Sequence, residues 1–235
     1  MIDCVSLATS HHFPENLLVS QHKLRYQEVI QKENWGNIYT CDGMEFDRYD
    51  NLATEYYIAR NDDGKVVGVA RSYPTTIPYM LSDAFTFLSS TELPSSPKIL
   101  EASRLVLDRS LLTKEQRQPV VDRIILAYME RGLQRNIDAY VGFMLPKIWA
   151  STFQRVGWDI MFLGPEIALP VTNEIVRAAL MPVNENIYEK MRAITGIHRS
   201  VLNFGTGEYT QIPGPVVYSH MRENLPERKK PAAAA

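Results

Sequence analysis

Between Arg25 and Arg104 the chain spaces out a set of three arginines, four carboxylates and an indole: Arg25, Trp35, Glu45, Asp47, Asp50, Arg71, Glu101 and Arg104. That is more polar machinery than packing requires. Groups of both signs at fixed spacing suit a small ligand that itself carries positive and negative charge. Glu101 is the sharpest of them. Its neighbours Ile99, Leu100, Ala102, Leu105, Val106 and Leu107 read as a strand buried on both faces. A carboxylate in that setting must be paired or carry a raised pKa, and either condition suits a general base. Arg71 ends a second apolar strand, after Val66, Val67, Val69 and Ala70, so it must reach solvent or find a carboxylate. Strand side chains alternate, so Glu101 and Arg104 face opposite sides unless a bulge intervenes, and Arg104 is expected to pair with a loop aspartate.

Each residue also has a plainer reading. Arg25 can be an exposed helical arginine, Trp35 a core aromatic, Asp47 and Asp50 a solvated loop, and Glu101 with Arg104 part of a buried ion network without chemistry.

The elements that must hold these groups follow from pattern and punctuation. Met1 to Ala8 reads as a strand and Pro14 to Glu33 as a helix, with proline at its start. Residues 34 to 53 lack apolar periodicity and read as an ordered loop. Glu55 to Arg60 and Val66 to Ser72 are strands joined across Asn61-Asp62-Asp63-Gly64, where Asp-Gly supplies the positive φ of a tight turn. Ser89 to Lys98, rich in Pro and Ser, is a surface loop. After the Ile99 to Asp108 strand, Thr113 and Gln116 make a capping-box pattern that opens a helix to about Arg135. Ala139 to Leu145, Trp158 to Leu163 and Glu174 to Met181 read as strands, and Pro146 to Val156 and Asn184 to Ala193 as helices. This order, with an antiparallel hairpin inside it, gives an α/β class: one domain over residues 1–220, a mixed-sheet α/β/α sandwich, and a disordered tail over 221–235.

The 235 residues suffice for one self-sufficient core. A net charge of −2 argues against nucleic acid as the main partner. Cys4 and Cys41 form no metal-ligand or CxxC spacing, which suits a reducing compartment. No apolar run approaches the roughly 18 residues of a membrane span, and no signal-peptide core opens the chain. A cytoplasmic protein, a monomer or weak dimer, is expected.

Taken jointly, the residues resemble the acyl-homoserine lactone synthases, the LuxI-type autoinducer synthases of bacterial quorum sensing. The resemblance rests on Arg25-Tyr26-Gln27, Trp35, then Gly43, Glu45, Asp47, Tyr49 and Asp50, then Arg71 before Pro74-Thr75-Thr76, Phe85, and Glu101-Ala102-Ser103-Arg104. It runs from about residue 20 to 195, through Arg155-Val156-Gly157-Trp158 and Met181-Pro182-Val183-Asn184. Val29 departs from it, standing where the family commonly has Phe.

The resemblance implies a fold similar to GCN5-type N-acyltransferases and a reaction between S-adenosylmethionine and an acyl thioester, from acyl-coenzyme A or acyl carrier protein. S-adenosylmethionine is then a consumed substrate, and no cofactor or metal is implied. Glu101 matches the base. Arg25, Val29, Trp35, Asp47, Asp50, Arg71, Phe85, Ser103 and Arg104 match the S-adenosylmethionine site and its support. A backbone N–H near Ser103 or Phe143 would meet the oxyanion. The acyl group is expected along Phe143, Met144, Leu145 and Trp149, whose bulk favours an unsubstituted, branched or aryl chain. The loop through Asp47 and Asp50 is expected to close on the ligand, because its charges would otherwise lack partners. The alternatives are a generic acyl-coenzyme A-dependent N-acyltransferase and a non-catalytic ligand-binding homologue. The first would need a glycine-rich pyrophosphate cradle, and Arg131-Gly132-Leu133-Gln134-Arg135 does not fit one.

Overall fold

Alternation along Tyr56–Ala59 sends Tyr57 and Ala59 to one face of a sheet and Tyr56 and Ile58 to the other, and all four are buried. Both faces are therefore covered. In the computed structural model, residues 1–32, 39–170 and 172–205 are described. The strands are β1 (Ile2–Ser6), β2 (Tyr39–Cys41), β3 (Met44–Phe46), β4 (Glu55–Arg60), β5 (Val66–Pro74), β6 (Ile99–Leu107), β7 (Ala139–Met144), β8 (Met161–Phe162), β9 (Ile167–Ala168), β10 (Ile175–Pro182) and β11 (Leu202–Asn203). The helices are α1 (Leu17–Arg25), α2 (Met80–Asp83), α3 (Lys114–Gln134), α4 (Pro146–Ile148) and α5 (Glu185–Thr195).

The main sheet has the order β11-β1-β4-β5-β6-β7-β10-β8, with β9 also on β10. It is mixed: β11 with β1 and β6 with β7 run parallel, the other neighbours antiparallel. α3 and α5 pack on the Tyr57 face, through residues such as Ile124, Tyr128, Ile187 and Met191. α1 packs on the opposite face through Leu17 and Leu24. The result is the α/β/α arrangement expected for one mixed-sheet domain.

Local chemistry explains most boundaries. Thr113 and Gln116 form a reciprocal capping box at the start of α3. Asn184 caps α5, and Gly196 closes it in the left-handed region at φ 69°. Other expectations need correction. The Pro14 to Glu33 helix begins only at Leu17, and beyond Arg25 it widens into π-helical turns over Tyr26–Lys32. The region read as a loop over 34 to 53 contains the β2–β3 hairpin, turned at Asp42 (φ 50°) and Gly43 (φ 71°). That is the same Asp-Gly signal that marks the β4–β5 turn. The strand expected from Trp158 to Leu163 shrinks to β8, because Trp158 is in the core with its indole donating to the Pro182 carbonyl at 2.8 Å. The helix expected from Pro146 to Val156 is one α-turn followed by π-helical turns over Trp149–Gln154. The tail expected from 221 lies outside the described residues.

What the fold supplies to a site is a divergence between β6 and β7. Their register covers Ile99↔Ala139, Leu100↔Tyr140 and Glu101↔Val141 and stops there. A Cβ at Gly142 would lie 2.8 Å from the Ala102 carbonyl oxygen, so the two backbones still approach closely just past the last pair. Beyond it the strands open onto a cavity of about 410 Å³.

Candidate active site

β5 and β6 pair with Tyr73 opposite Glu101 and Arg71 opposite Ser103. Between Arg71↔Ser103 and Val69↔Val106 the β6 side holds one extra residue, and Arg104 sits in that bulge at φ 56°. The bulge turns Arg104 toward the Asp47–Asp50 loop. Arg104 thereby reaches a loop aspartate, Asp47, at 2.8 Å, as expected for it.

The loop itself is a tight turn closed by its own carboxylates. Asp47 accepts from the Tyr49 amide at 2.9 Å, and Asp50 accepts from the Asp47 amide at 2.9 Å. The remaining lone pairs face three arginines. Arg71 donates to both oxygens of Asp47 at 2.7 and 2.6 Å and reaches Asp50 at 2.8 Å. Arg25 donates to both oxygens of Asp50 at 2.7 and 2.8 Å and pairs closely with Glu45. Arg104 bridges Glu45 at 2.9 Å and Asp47 at 2.8 Å. Three guanidinium groups thus meet three carboxylates, and the Arg25, Arg71 and Glu45 side chains are wholly shielded from water.

Burial opposes ionisation of Asp50 and Glu45, but the arginines prevail. Asp50 is held well below the usual carboxylate range by the Arg25 hydrogen bonds and the Arg71 charge. Glu45 is likewise lowered by Arg104 and Arg25. The expectation that the loop's charges lack partners without ligand is overturned, since the protein provides them.

Glu101 differs in kind. It is fully buried, and burial raises its pKa against the lowering effect of its three hydrogen bonds and of Arg71. Those bonds come from the Tyr73 hydroxyl and the Met80 amide to Oε2, and from the Leu81 amide to Oε1. The first turn of α2 therefore points two of its amides at this carboxylate. Glu101 lies at the edge of the cavity between β6 and β7, whose walls are largely apolar: Leu105, Val121, Phe143, Met144, Ile148 and Val176. A carboxylate kept basic by burial, beside an apolar cleft and an anchored ion network, can take a proton from a bound amine.

The chain as a whole matches a known family. The family model of the autoinducer synthases matches residues 11–191. The chain belongs to the autoinducer synthase family. The synthase is 31% identical over 166 residues, 70% of its length, to the isovaleryl-homoserine lactone synthase of Bradyrhizobium diazoefficiens, of which it covers 72%. It is 30% identical over 161 residues, 65% of its length, to the acyl-homoserine-lactone synthase of Ralstonia solanacearum, covering 76% of that protein. Its fold superposes on the solved structure of BjaI, a coenzyme A-dependent acyl-homoserine lactone synthase determined with S-adenosylmethionine and isopentyl-coenzyme A. The TM-score is 0.80 at 25% identity, over 94% of this chain and 99% of that one. The synthase is an acyltransferase of the acyl-homoserine lactone type.

The expected site residues fall into groups in the synthase. Val29, Glu101, Ser103, Arg104, Phe143, Met144 and Leu145 line the cavity. Arg25, Asp47, Asp50 and Arg71 form the ion network beside it, and Ser103 Oγ accepts from Arg71 at 3.0 Å. Phe85 stands behind Phe143, ring centres 4.5 Å apart. Trp35 lies outside the described residues. Trp149 is not brought into the cavity: it is fully buried, with its indole on the Arg177 carbonyl at 2.8 Å and its ring against Phe153. The π-helical turn after Ile148 accounts for this, because it rotates Trp149 into the core while Ile148 and Thr152 face the cavity.

Tyr73 and the two α2 amides are not legible as site groups in the sequence, and Glu45, though part of the charged set, has no role assigned there. Glu45 was visible in the Gly-x-Glu-x-Asp spacing. Tyr73 shares the face of Arg71, two residues on, but only the β5–β6 register sets it against Glu101. Arg131 forms no part of a pyrophosphate cradle: with Arg135 it grips Glu55.

Proposed function

We propose that this synthase acylates the amine of S-adenosylmethionine from a coenzyme A thioester of a short, branched or unsubstituted acid and then closes the lactone. The observation that carries the reading is Glu101, buried in the wall of a largely apolar cleft and held in place by three donors. Its raised affinity for protons suits it to deprotonate the ammonium of the methionyl group, which must lose a proton to become a nucleophile. The freed nitrogen pair attacks the thioester carbonyl, the C–S bond breaks, and the thiol leaves. The methionyl carboxylate then displaces the sulfonium, giving the homoserine lactone and methylthioadenosine.

The ion network of Arg25, Arg71 and Arg104 with Glu45, Asp47 and Asp50 provides a rigid wall of alternating charge for the polar end of S-adenosylmethionine. The hydrocarbon walls near Leu105, Val121, Met144 and Ile148 favour a donor without a polar 3-substituent. Coenzyme A as carrier is supported by the match along nearly the whole chain to BjaI, which is coenzyme A-dependent.

The test mixes the purified protein with S-adenosylmethionine and a panel of acyl-coenzyme A and acyl carrier protein thioesters. Thiol and methylthioadenosine should appear in equal amounts with isovaleryl- or butyryl-coenzyme A. Turnover confined to acyl carrier protein donors would overturn the carrier assignment, and no methylthioadenosine with any donor would overturn the reaction. Glu101→Gln should lower kcat at least a hundredfold, in line with the usual contribution of general base catalysis.

A further inference from the structure

Tyr73 belongs to no recognised motif of the chain, yet it is fully buried against the central carboxylate. Each carboxylate oxygen offers about two lone-pair sites. On Oε2 of Glu101 both are used, one by the Tyr73 hydroxyl and one by the Met80 amide at 2.8 Å. On Oε1 one is used among the described residues, by the Leu81 amide at 2.8 Å. The two oxygens are therefore not equivalent.

The Tyr73 ring is itself fixed. It stacks on Tyr49, centroids 5.6 Å apart and planes 6° from parallel, and the Arg71 guanidinium lies 5.3 Å from its centre. Tyr49 in turn donates to Asp83 at 3.1 Å, and Asp83 ends the helix that presents the Met80 and Leu81 amides. A closed circuit results: Tyr49 to Tyr73, Tyr73 to Glu101, Glu101 to α2, and α2 back to Tyr49 through Asp83.

We infer that Tyr73 is a positioning residue which, with the Met80 amide, locks Oε2 of Glu101 and leaves Oε1 as the oxygen that accepts the substrate proton. This rests on the synthase reaction above. One proton passes from the ammonium to Oε1, the freed pair forms the C–N bond, and the thiolate departs with the C–S pair. The second N–H proton leaves with the thiol. Because the phenol donates to the ionised form, it also keeps Glu101 charged to lower pH than burial alone would allow. Among the described residues, the charged or titratable groups facing this pair include Arg71 on β5, Tyr79 at the start of α2, and Asp47 and the stacked Tyr49 in the loop facing Tyr73; the β7 residue opposite Glu101 is the apolar Val141.

The test is the pH profile of kcat/KM for methylthioadenosine release by full-length Tyr73→Phe enzyme. Phe keeps the stack on Tyr49 and removes only the donor. The ascending limb should move up by about one pH unit, the worth of one hydrogen bond to a charged group, and activity should recover above it to within about threefold of the parent. Tyr79→Phe, whose hydroxyl donates to the Pro94 carbonyl instead, should leave the limb in place. An unmoved limb with activity reduced equally at every pH, or no effect at all, would overturn the inference.

A second measurement needs no variant. The Met80 and Leu81 amide resonances of the parent should titrate together, with the midpoint of the kinetic limb; separate or absent titration would also overturn it. Absence of turnover in the parent enzyme would instead count against the reaction, leaving the amide titration to judge the arrangement.

Discussion

Arg71 and Asp47 meet through two parallel hydrogen bonds of 2.7 and 2.6 Å, with the arginine wholly out of water and the aspartate partly exposed. The pair fastens the Asp47–Asp50 turn to the central strand β5, two residues from the tyrosine that holds Glu101. Binding wall and base thus share one rigid strand.

Breaking that pair from its buried side should be costly. Arg71→Met removes the cation from Asp47 and Asp50 together and leaves Arg25 and Arg104 as the cations of the network, with the Tyr56 hydroxyl still on Asp50 at 2.9 Å. A loss of about 3 kcal/mol is expected in urea unfolding, since the remaining partner is left charged and desolvated. Asp47→Asn should cost less, about 1 kcal/mol, because Asp47 is partly exposed and Arg71 keeps Asp50. Equal losses from the two variants would contradict the arrangement.

Acid should attack the same network. Asp50, Glu45 and Glu55 have folded pKa values below their unfolded ones, the last through Arg131 and Arg135. Their contribution is fully present above the ordinary carboxylate range near pH 4 and is lost as pH falls through the folded values. Unfolding free energy should therefore fall steeply with decreasing pH below about 4. Glu101 acts with the opposite sign, because its raised pKa favours the folded state when protonated and that term is lost as pH rises through the folded value. Asp50→Asn should start less stable and lose less stability between pH 5 and pH 2 than the parent, about 1–2 kcal/mol less. An equal slope would refute the pairing of Asp50.

The opening between β6 and β7 depends on Gly142. In Gly142→Ala the new Cβ meets the Ala102 carbonyl oxygen at 2.8 Å, and both atoms belong to backbones already fixed by neighbouring strands. The strands must part where Glu101 is anchored. A loss of about 1–3 kcal/mol in stability is expected, with turnover reduced more than tenfold. Wild-type stability in this variant would show that the close approach is not maintained in solution.

Acyl selectivity should divide Trp149 from its neighbours. Leu105→Phe fills part of the cavity and should shift preference toward shorter thioesters, read as a change of kcat/KM ratio across a chain-length series. Trp149→Phe removes core volume and the bond to the Arg177 carbonyl, so it should cost about 1–2 kcal/mol in stability while leaving that ratio unchanged. A changed ratio in Trp149→Phe would return Trp149 to the acyl pocket.

The sequence by itself determined the class of the fold, because apolar alternation, the Asp63-Gly64 turn and the Thr113/Gln116 cap act over a few residues and need no distant partner. It also determined which groups are charged and that Glu101 must be buried, since its neighbours on β6 are nearly all apolar. The joint spacing of the motifs from Arg25-Tyr26-Gln27 through Gly43–Asp50 and Arg71 to Glu101-Ala102-Ser103-Arg104 carried the resemblance to its family, which the family model over residues 11–191 bears out. What only the tertiary structure decided is who meets whom. The bulge at Arg104 turns that side chain to Glu45 and Asp47, the β5–β6 register sets Tyr73 against Glu101, and the π-helical turn after Ile148 withdraws Trp149 into the core. Each depends on one extra residue of backbone or on a pairing about thirty positions away in sequence, as with Tyr73 and Glu101. Local propensity carries no such information, because a shift of one residue reverses the face on which a strand side chain lies.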